Sequence, residues 1–137
     1  MKKILTFGVY DLTHLGHIKL FERAKQLGDH LIVAVQQSDY IKKNKPSAYN
    51  IYDTGERCYI INSIKFVDEV VVYNSVYEDI QKIDFDVFVK GPDQMHEGFQ
   101  KAVEWCKNHN KEVVTLPRTE DISTSELVIK IKNIFAN

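Results

Sequence analysis

Two cysteines in 137 residues, Cys58 and Cys106, lie far apart and belong to no CxxC pair. They exclude a disulfide framework and a zinc cage, so a reducing cytoplasm is the expected compartment. No stretch approaches the roughly 18 uninterrupted apolar residues of a membrane span, and no membrane partner is expected. The opening MKKILTFGVYDL has two lysines ahead of an apolar run. That run is short and no small-residue cleavage site follows it, so it reads as a first strand and not as a secretory leader. Neither sign of charge is in excess: 18 Lys and Arg stand against 19 Asp and Glu, a net charge of -1. A general nucleic-acid binder is usually basic, so no nucleic-acid partner is expected and any anion site must be local. The two familiar glycine-rich phosphate cradles, GxGxxG and GxxxxGK[ST], are also missing.

What remains is ordinary globular composition, 44% hydrophobic and 27% charged. A chain of this length is expected to form one domain over residues 1–137. Short apolar runs alternate with runs of helical period along its whole length, the pattern of a parallel sheet covered by helices. Strands are expected at Lys3 to Gly8, His30 to Gln36, Asp68 to Tyr73, Asp86 to Lys90 and Glu112 to Leu116. The first helix carries Ile18, Phe21, Ala24 and Leu27 on one face and is expected to stop at Gly28 in a left-handed cap. A polar, lysine-rich stretch follows the second strand to about Tyr52. Further helices are expected near residues 56–65, 76–83, 98–108 and 123–135. The fold class is therefore α/β: a Rossmann-like three-layer α/β/α arrangement around a central five-stranded parallel sheet.

Right-handed crossovers send every strand-to-helix loop to one edge of such a sheet, where open α/β folds bind ligands. That edge gathers residues 9–17, 37–50, 74–77, 91–96 and 117–123. On it fall THLGH with His14 and His17, the cluster KKNK from Lys42 to Lys45, the turn GPD from Gly91 to Asp93, and RTEDIST from Arg118 to Thr124.

Histidines at i and i+3 share a helix face, so His14 and His17 would point together at the helix N-terminus. That end has unpaired N–H donors and a partial positive charge, and its natural guest is an anion such as phosphate. Gly16 between them lets the guest approach the backbone. Zinc is the competing guest. A zinc ion would need a third ligand, for which His96 is the only further histidine on the same edge.

GVYDLTHLGH resembles the signature of the nucleotidyltransferase superfamily with the HxGH motif. IKFVDEVV and LPRTEDISTSEL resemble its cytidylyltransferase branch, and the overall pattern is most similar to the bacterial glycerol-3-phosphate cytidylyltransferases. The resemblance covers almost the whole chain. It implies transfer of a cytidylyl group from CTP to a small alcohol phosphate with release of pyrophosphate, for synthesis of cell-envelope or capsule polymers. It further implies a magnesium cofactor and a homodimer. By the same resemblance His14, His17, Lys45 and Arg118 are catalytic. Gly8, Val9, Tyr10, Asp11, Gly16, Gly91, Asp93, Thr119, Glu120, Ile122, Ser123 and Thr124 join them in binding the nucleotide. Lys43, Arg57, Lys65 and Tyr77 bind the acceptor, and Asp11 holds the metal.

Several positions depart from the family pattern. Val9 and Tyr10 stand where Thr and Phe are usual, Lys65 where Arg is usual, and Asp121 where Gly is usual. Lys42 is an alternative to Lys43 or Lys45, because the lysine segment aligns with a slip of one residue. Lys90 resembles the KGGD of heptose-phosphate nucleotidyltransferases. Other acceptors, such as ethanolamine phosphate or a sugar phosphate, and ATP in place of CTP therefore stay open. A non-catalytic flavodoxin-like domain is the remaining alternative. Response regulators of that layer order need an acidic cluster where this first strand ends in Gly8, Val9 and Tyr10.

Overall fold

A computed structural model describes residues 1–47, 50–118 and 123–136. Its elements follow the expected alternation: β1 (Lys3–Gly8), α1 (Leu15–Lys25), β2 (His30–Gln36), α2 (Ser38–Asn44), α3 (Thr54–Asn62), β3 (Glu69–Tyr73), α4 (Val76–Ile80), β4 (Val87–Lys90), α5 (Glu97–Asn108), β5 (Glu112–Thr115) and α6 (Thr124–Phe135). The five strands form one sheet in the order β3-β2-β1-β4-β5. All pairings are parallel, with Thr6 beside Val33 on one side and Val89 on the other.

Alternation along the central strands sends side chains to two separate cores. Leu5 and Phe7, with Ile32, Ala34 and Phe88, pack against Val76 and Ile80 of α4 and Phe99, Ala102 and Cys106 of α5. Phe7 meets Tyr73 and Phe88 edge-on, at centroid separations of 4.9 and 5.7 Å. Ile4, Leu31, Val33, Val35 and Val89 face the other way, onto Phe21 and Ala24 of α1 and Ile61 of α3. Each fully buried side chain of this kind contributes about 1.5–3 kcal/mol, and the two clusters together fix a sheet covered on both faces. The three-layer α/β/α architecture is thus set by strand alternation.

Two local expectations are corrected. Gly28 does not adopt a left-handed backbone, since no glycine has positive φ. It is needed for space: a Cβ there would lie 2.7 Å from the Lys2 carbonyl oxygen, where the turn into β2 crosses the start of β1. The lysine-rich stretch after β2 is also not all loop. Its first part is the short helix α2, held by burial of Ile41 alone among polar neighbours, a signal too weak to read as a period. Shifts of one to three residues at the other element ends reflect fraying and caps.

Strand order reverses at β1, which has β2 on one side and β4 on the other. A crevice must therefore open beyond the carboxyl ends of β1 and β4.

Candidate active site

The crevice is a cleft of about 410 Å³. One wall is the segment after β1, containing Gly8 to Asp11, His14, Gly16, His17 and Leu20. The second is the turn after β4, with Gly91, Pro92, Asp93 and Gln94, and the third comprises Leu116 to Arg118 with Ser123 and Thr124 at the start of α6. Twelve of the proposed nucleotide-binding and catalytic positions are thereby brought together: Gly8, Val9, Tyr10, Asp11, His14, Gly16, His17, Gly91, Asp93, Arg118, Ser123 and Thr124. Thr119, Glu120, Asp121 and Ile122 lie outside the described residues.

The loop after β1 folds tightly. Tyr10 and Leu12 both have left-handed backbones, with φ of 57° and 52°, a conformation that costs non-glycine residues about 1 kcal/mol or more each. The result turns the Tyr10 ring back over Gly8, where a Cβ would lie 2.5 Å from the ring. Gly8 is therefore required by the aromatic residue two positions later. Between the two strained residues, the Asp11 carboxylate accepts N–H bonds from Ile51 at 2.6 Å and Tyr52 at 3.0 Å. It does not cap the helix that follows it in sequence. It ties this loop to the segment ahead of α3, and the Thr124 hydroxyl donates to its backbone carbonyl at 3.5 Å.

His14 and His17 are arranged differently from the shared first turn that their spacing suggests. His14 is the N-cap of α1, and His17 is its third residue. The Gly16 N–H donates to His14 Nδ1 at 3.0 Å, and the His14 N–H donates to His17 Nδ1 at 3.2 Å. A backbone N–H can only donate, so both Nδ1 atoms are acceptors and both rings carry their proton on Nε2. The rings stack, with centroids 3.9 Å apart and planes at 26°. Burial, with help from neighbouring His14, holds His17 down to about 4 from its ordinary 6.5. Burial lowers His14 as well. The cleft thus presents two neutral imidazoles, each with an Nε2–H left for a ligand. These are fixed donors for an anion and poor proton acceptors.

Across the cleft, Arg118 Nη1 meets Asp93 Oδ2 at 3.1 Å, linking the turn after β4 to the segment after β5. Gln94 fixes that turn in place: its Nε2 donates to the Phe7 carbonyl at 2.7 Å and its Oε1 accepts from the Gly91 N–H at 3.1 Å. At the start of α6, the Ser123 hydroxyl accepts from the Glu126 N–H at 3.1 Å, as its N-cap position requires.

The four residues assigned to the acceptor are not brought into this cleft. Arg57 is fully buried. Its guanidinium donates to the carbonyls of Val9 at 2.8 Å, Gln36 at 2.9 Å and Tyr52 at 3.2 Å, and to the Ser38 hydroxyl at 2.7 Å. The fork that would grip a phosphate instead braces the loops after β1 and β2, giving donors to carbonyls that the fold leaves partly buried. Lys65 is exposed between α3 and β3, over the Phe66 ring, at the sheet edge opposite the cleft. Lys43 is exposed on α2, and Tyr77 opens α4 beneath Lys101. Neither lines the cleft. Lys45 ends α2 and lines a second cavity, which adjoins the first at Gly8, Val9 and Gln94.

Among the described residues, no group of three or more His, Cys, Asp or Glu side chains could hold a metal ion. The Asp11 carboxylate is the metal candidate on the cleft wall. Each of its oxygens has one backbone N–H and a remaining lone pair, which fits a hard cation held mainly by substrate phosphates.

The cytidylyltransferase-like family model matches residues 5–130. The chain belongs to the cytidylyltransferase-like family. It is 42% identical to the glycerol-3-phosphate cytidylyltransferase of Bacillus subtilis, over 98% of this chain and 100% of that protein. It is 32% identical to the FAD synthase of Thermococcus sibiricus, over 97% of this chain and 94% of the relative. A solved structure titled as the lipopolysaccharide core biosynthesis protein of Thermoplasma volcanium has the same fold, with a TM-score of 0.75 at 24% identity over 88% of this chain and 99% of that one.

Residues missing from the sequence-based site are the ones that act through backbone. Gln94 and the bracing role of Arg57 leave no pattern, since their partners are carbonyls of distant loops. His96 did leave one: His96-Glu97-Gly98 repeats the His-x-Gly spacing of His14-Leu15-Gly16.

Proposed function

We propose that this family member is a CTP-dependent cytidylyltransferase that joins a cytidylyl group to glycerol 3-phosphate, giving CDP-glycerol and pyrophosphate. The observation that carries the reading is the imidazole pair with both Nδ1 atoms occupied by backbone N–H groups. Its remaining donors suit the oxygens of a triphosphate lying along the helix N-terminus.

An acceptor phosphate oxygen forms the new bond to the α-phosphorus of CTP. The bond from that phosphorus to the bridging oxygen breaks, and pyrophosphate leaves with the electron pair. A phosphate monoester is mostly dianionic at neutral pH, so no protein base is required, which matches imidazoles whose Nδ1 lone pairs are taken and whose protonation burial disfavours. His17 and His14 donate to the phosphates as charge shifts from the α-phosphate to pyrophosphate. Arg118 supplies fixed positive charge from the facing wall, and the hydroxyls of Ser123 and Thr124 lie where α6 begins. Thr119, Glu120 and Ile122 complete the nucleotide contacts in this reading. Magnesium, coordinated by Asp11 and the triphosphate, would neutralise phosphate charge.

A second reading, nucleotidyl transfer from ATP, is favoured by the likeness to an FAD synthase. Pairing of two copies is supported by α6, which has no buried residue and exposes Ile129, Ile134 and Phe135. No helix among the described residues is long and apolar enough to cross a membrane. Both cysteines are free thiols, which suits the cytoplasm.

The test is pyrophosphate release with magnesium, each nucleoside triphosphate and a panel of alcohol phosphates. Release with CTP and glycerol 3-phosphate supports the first reading, and release with ATP alone the second. Absence of both release and nucleotide binding rejects catalysis.

A further inference from the structure

Tyr10 is held in place at three local costs. Its backbone is left-handed, at φ 57°, a region that its Cβ disfavours. Its ring forbids a side chain at Gly8. Its hydroxyl is buried and has no hydrogen-bond partner among the described residues, and the same is true of the Thr6 hydroxyl. Such a hydroxyl loses its bonds to water without replacing them. Burial pushes the Tyr10 phenol up and nearby Thr6 opposes that shift, so the two unpartnered hydroxyls are neighbours beside β1.

What the ring gains is contact with α1. His17 and Phe21 stand four residues apart on one face of that helix, and Tyr10 meets both edge-on. The centroids lie 5.4 Å from His17, with planes at 87°, and 5.2 Å from Phe21, with planes at 67°.

The His17 imidazole is thereby fixed in three ways. Its Nδ1 takes the His14 N–H, the His14 ring stacks on it, and the Tyr10 ring meets it nearly at a right angle. A hydrogen bond sets where Nδ1 sits but leaves the tilt of the ring about it open. That tilt decides where the Nε2–H points.

We infer that Tyr10 is the positioning residue of His17: its ring sets the tilt that aims the Nε2–H into the cleft, and its hydroxyl takes no part in that task. The inference rests on the cytidylyltransferase reading for the reaction that His17 serves. It adds to that reading the residue that aims the donor.

The test compares a variant that keeps the ring with variants that keep only its bulk. Tyr10→Phe retains the edge-on contact and drops the unpartnered hydroxyl, so its unfolding midpoint should equal or exceed that of the unsubstituted protein. Tyr10→Leu and Tyr10→Met fill the space with aliphatic groups and lose the flat ring. With CTP and glycerol 3-phosphate, both should lower kcat about tenfold or more while KM for CTP stays within about threefold, because a misaimed donor is missed in the transition state. Tyr10→Phe should recover most of that loss. A second readout needs no turnover. Nitrogen NMR of the His17 ring at neutral pH should show the proton on Nε2 in the unsubstituted protein and in Tyr10→Phe, and an average of both tautomers in the aliphatic variants.

The inference is overturned if a folded aliphatic variant turns over as fast as Tyr10→Phe, or if KM for CTP alone moves. It is equally overturned if both aliphatic variants fail to fold, since the ring would then serve the fold and not His17. Unsubstituted protein that releases no pyrophosphate from any triphosphate overturns the cytidylyltransferase reading instead, and the ring nitrogens still report by themselves whether Tyr10 holds His17.

Discussion

The imidazoles of His14 and His17 stack 3.9 Å apart, and each takes up a backbone N–H of the turn that carries them both. One pair of rings thus starts a helix and, in the proposed reading, arms a phosphate site. The two jobs use different nitrogens and are separable by mutation.

His14→Asn and His17→Gln keep side-chain oxygens able to accept the same N–H bonds but replace each ring's fixed Nε2–H by an amide donor placed elsewhere. Turnover should fall about 10²- to 10³-fold for His17→Gln, the usual cost of one charge-stabilising donor, with the unfolding midpoint little changed. Rapid turnover by a well-folded His17→Gln would remove His17 from the chemistry.

Folding holds His17 at about 4 against an ordinary 6.5. As pH falls below 6.5, the unfolded chain takes up a proton that the folded one resists, so stability declines down to about 4 and then levels off for this group. His14 and His96, also lowered by burial, act in the same sense. The lowered carboxyls of Asp68 and Asp84 contribute around and below their ordinary 3.8. Urea unfolding across pH 4 to 7 should show this slope, and His17→Gln should flatten it. An unchanged slope in the variant would mean that His17 titrates normally.

Arg57, itself fully buried, lends its donors to three carbonyls and a hydroxyl of partly buried loops. Arg57→Ala should cost about 3 kcal/mol or more, and Arg57→Lys should fail to restore it, because one ammonium cannot span that fork. Near-normal stability of either variant would return Arg57 to the list of substrate ligands.

The Arg118–Asp93 pair is about half exposed on the arginine side and more so on the aspartate. Such a pair adds at most about 1 kcal/mol to stability. Asp93→Asn should therefore leave unfolding almost untouched while raising KM for CTP severalfold, since Arg118 loses the partner that aims it across the cleft. An unchanged KM would show that Arg118 finds its place without Asp93.

Much of the site was legible along the chain because its parts are local. His14, Gly16 and His17 fall within four residues, and Gly91 to Asp93 and Ser123 to Thr124 are each compact turns at strand or helix ends. Parallel topology then sends them all to one edge. Lys43, Arg57, Lys65 and Tyr77 fall outside the cleft, for the opposite reason: a charge or an aromatic ring says nothing of which distant group it meets. The resemblance assigned Arg57 to the acceptor, and burial gave it to the backbone.

The sequence by itself determined the layers, the strand order of appearance and the edge on which the cleft opens, because period and alternation are properties of neighbours along the chain. Only the tertiary structure decided which nitrogen of each histidine is free, why Asp11 reaches a loop forty positions away, and that a second cavity opens beyond Gly8. Those facts depend on backbone donors and carbonyls from separate loops meeting in space, and backbone groups are the same in every residue but proline, so the letters of the sequence do not record them.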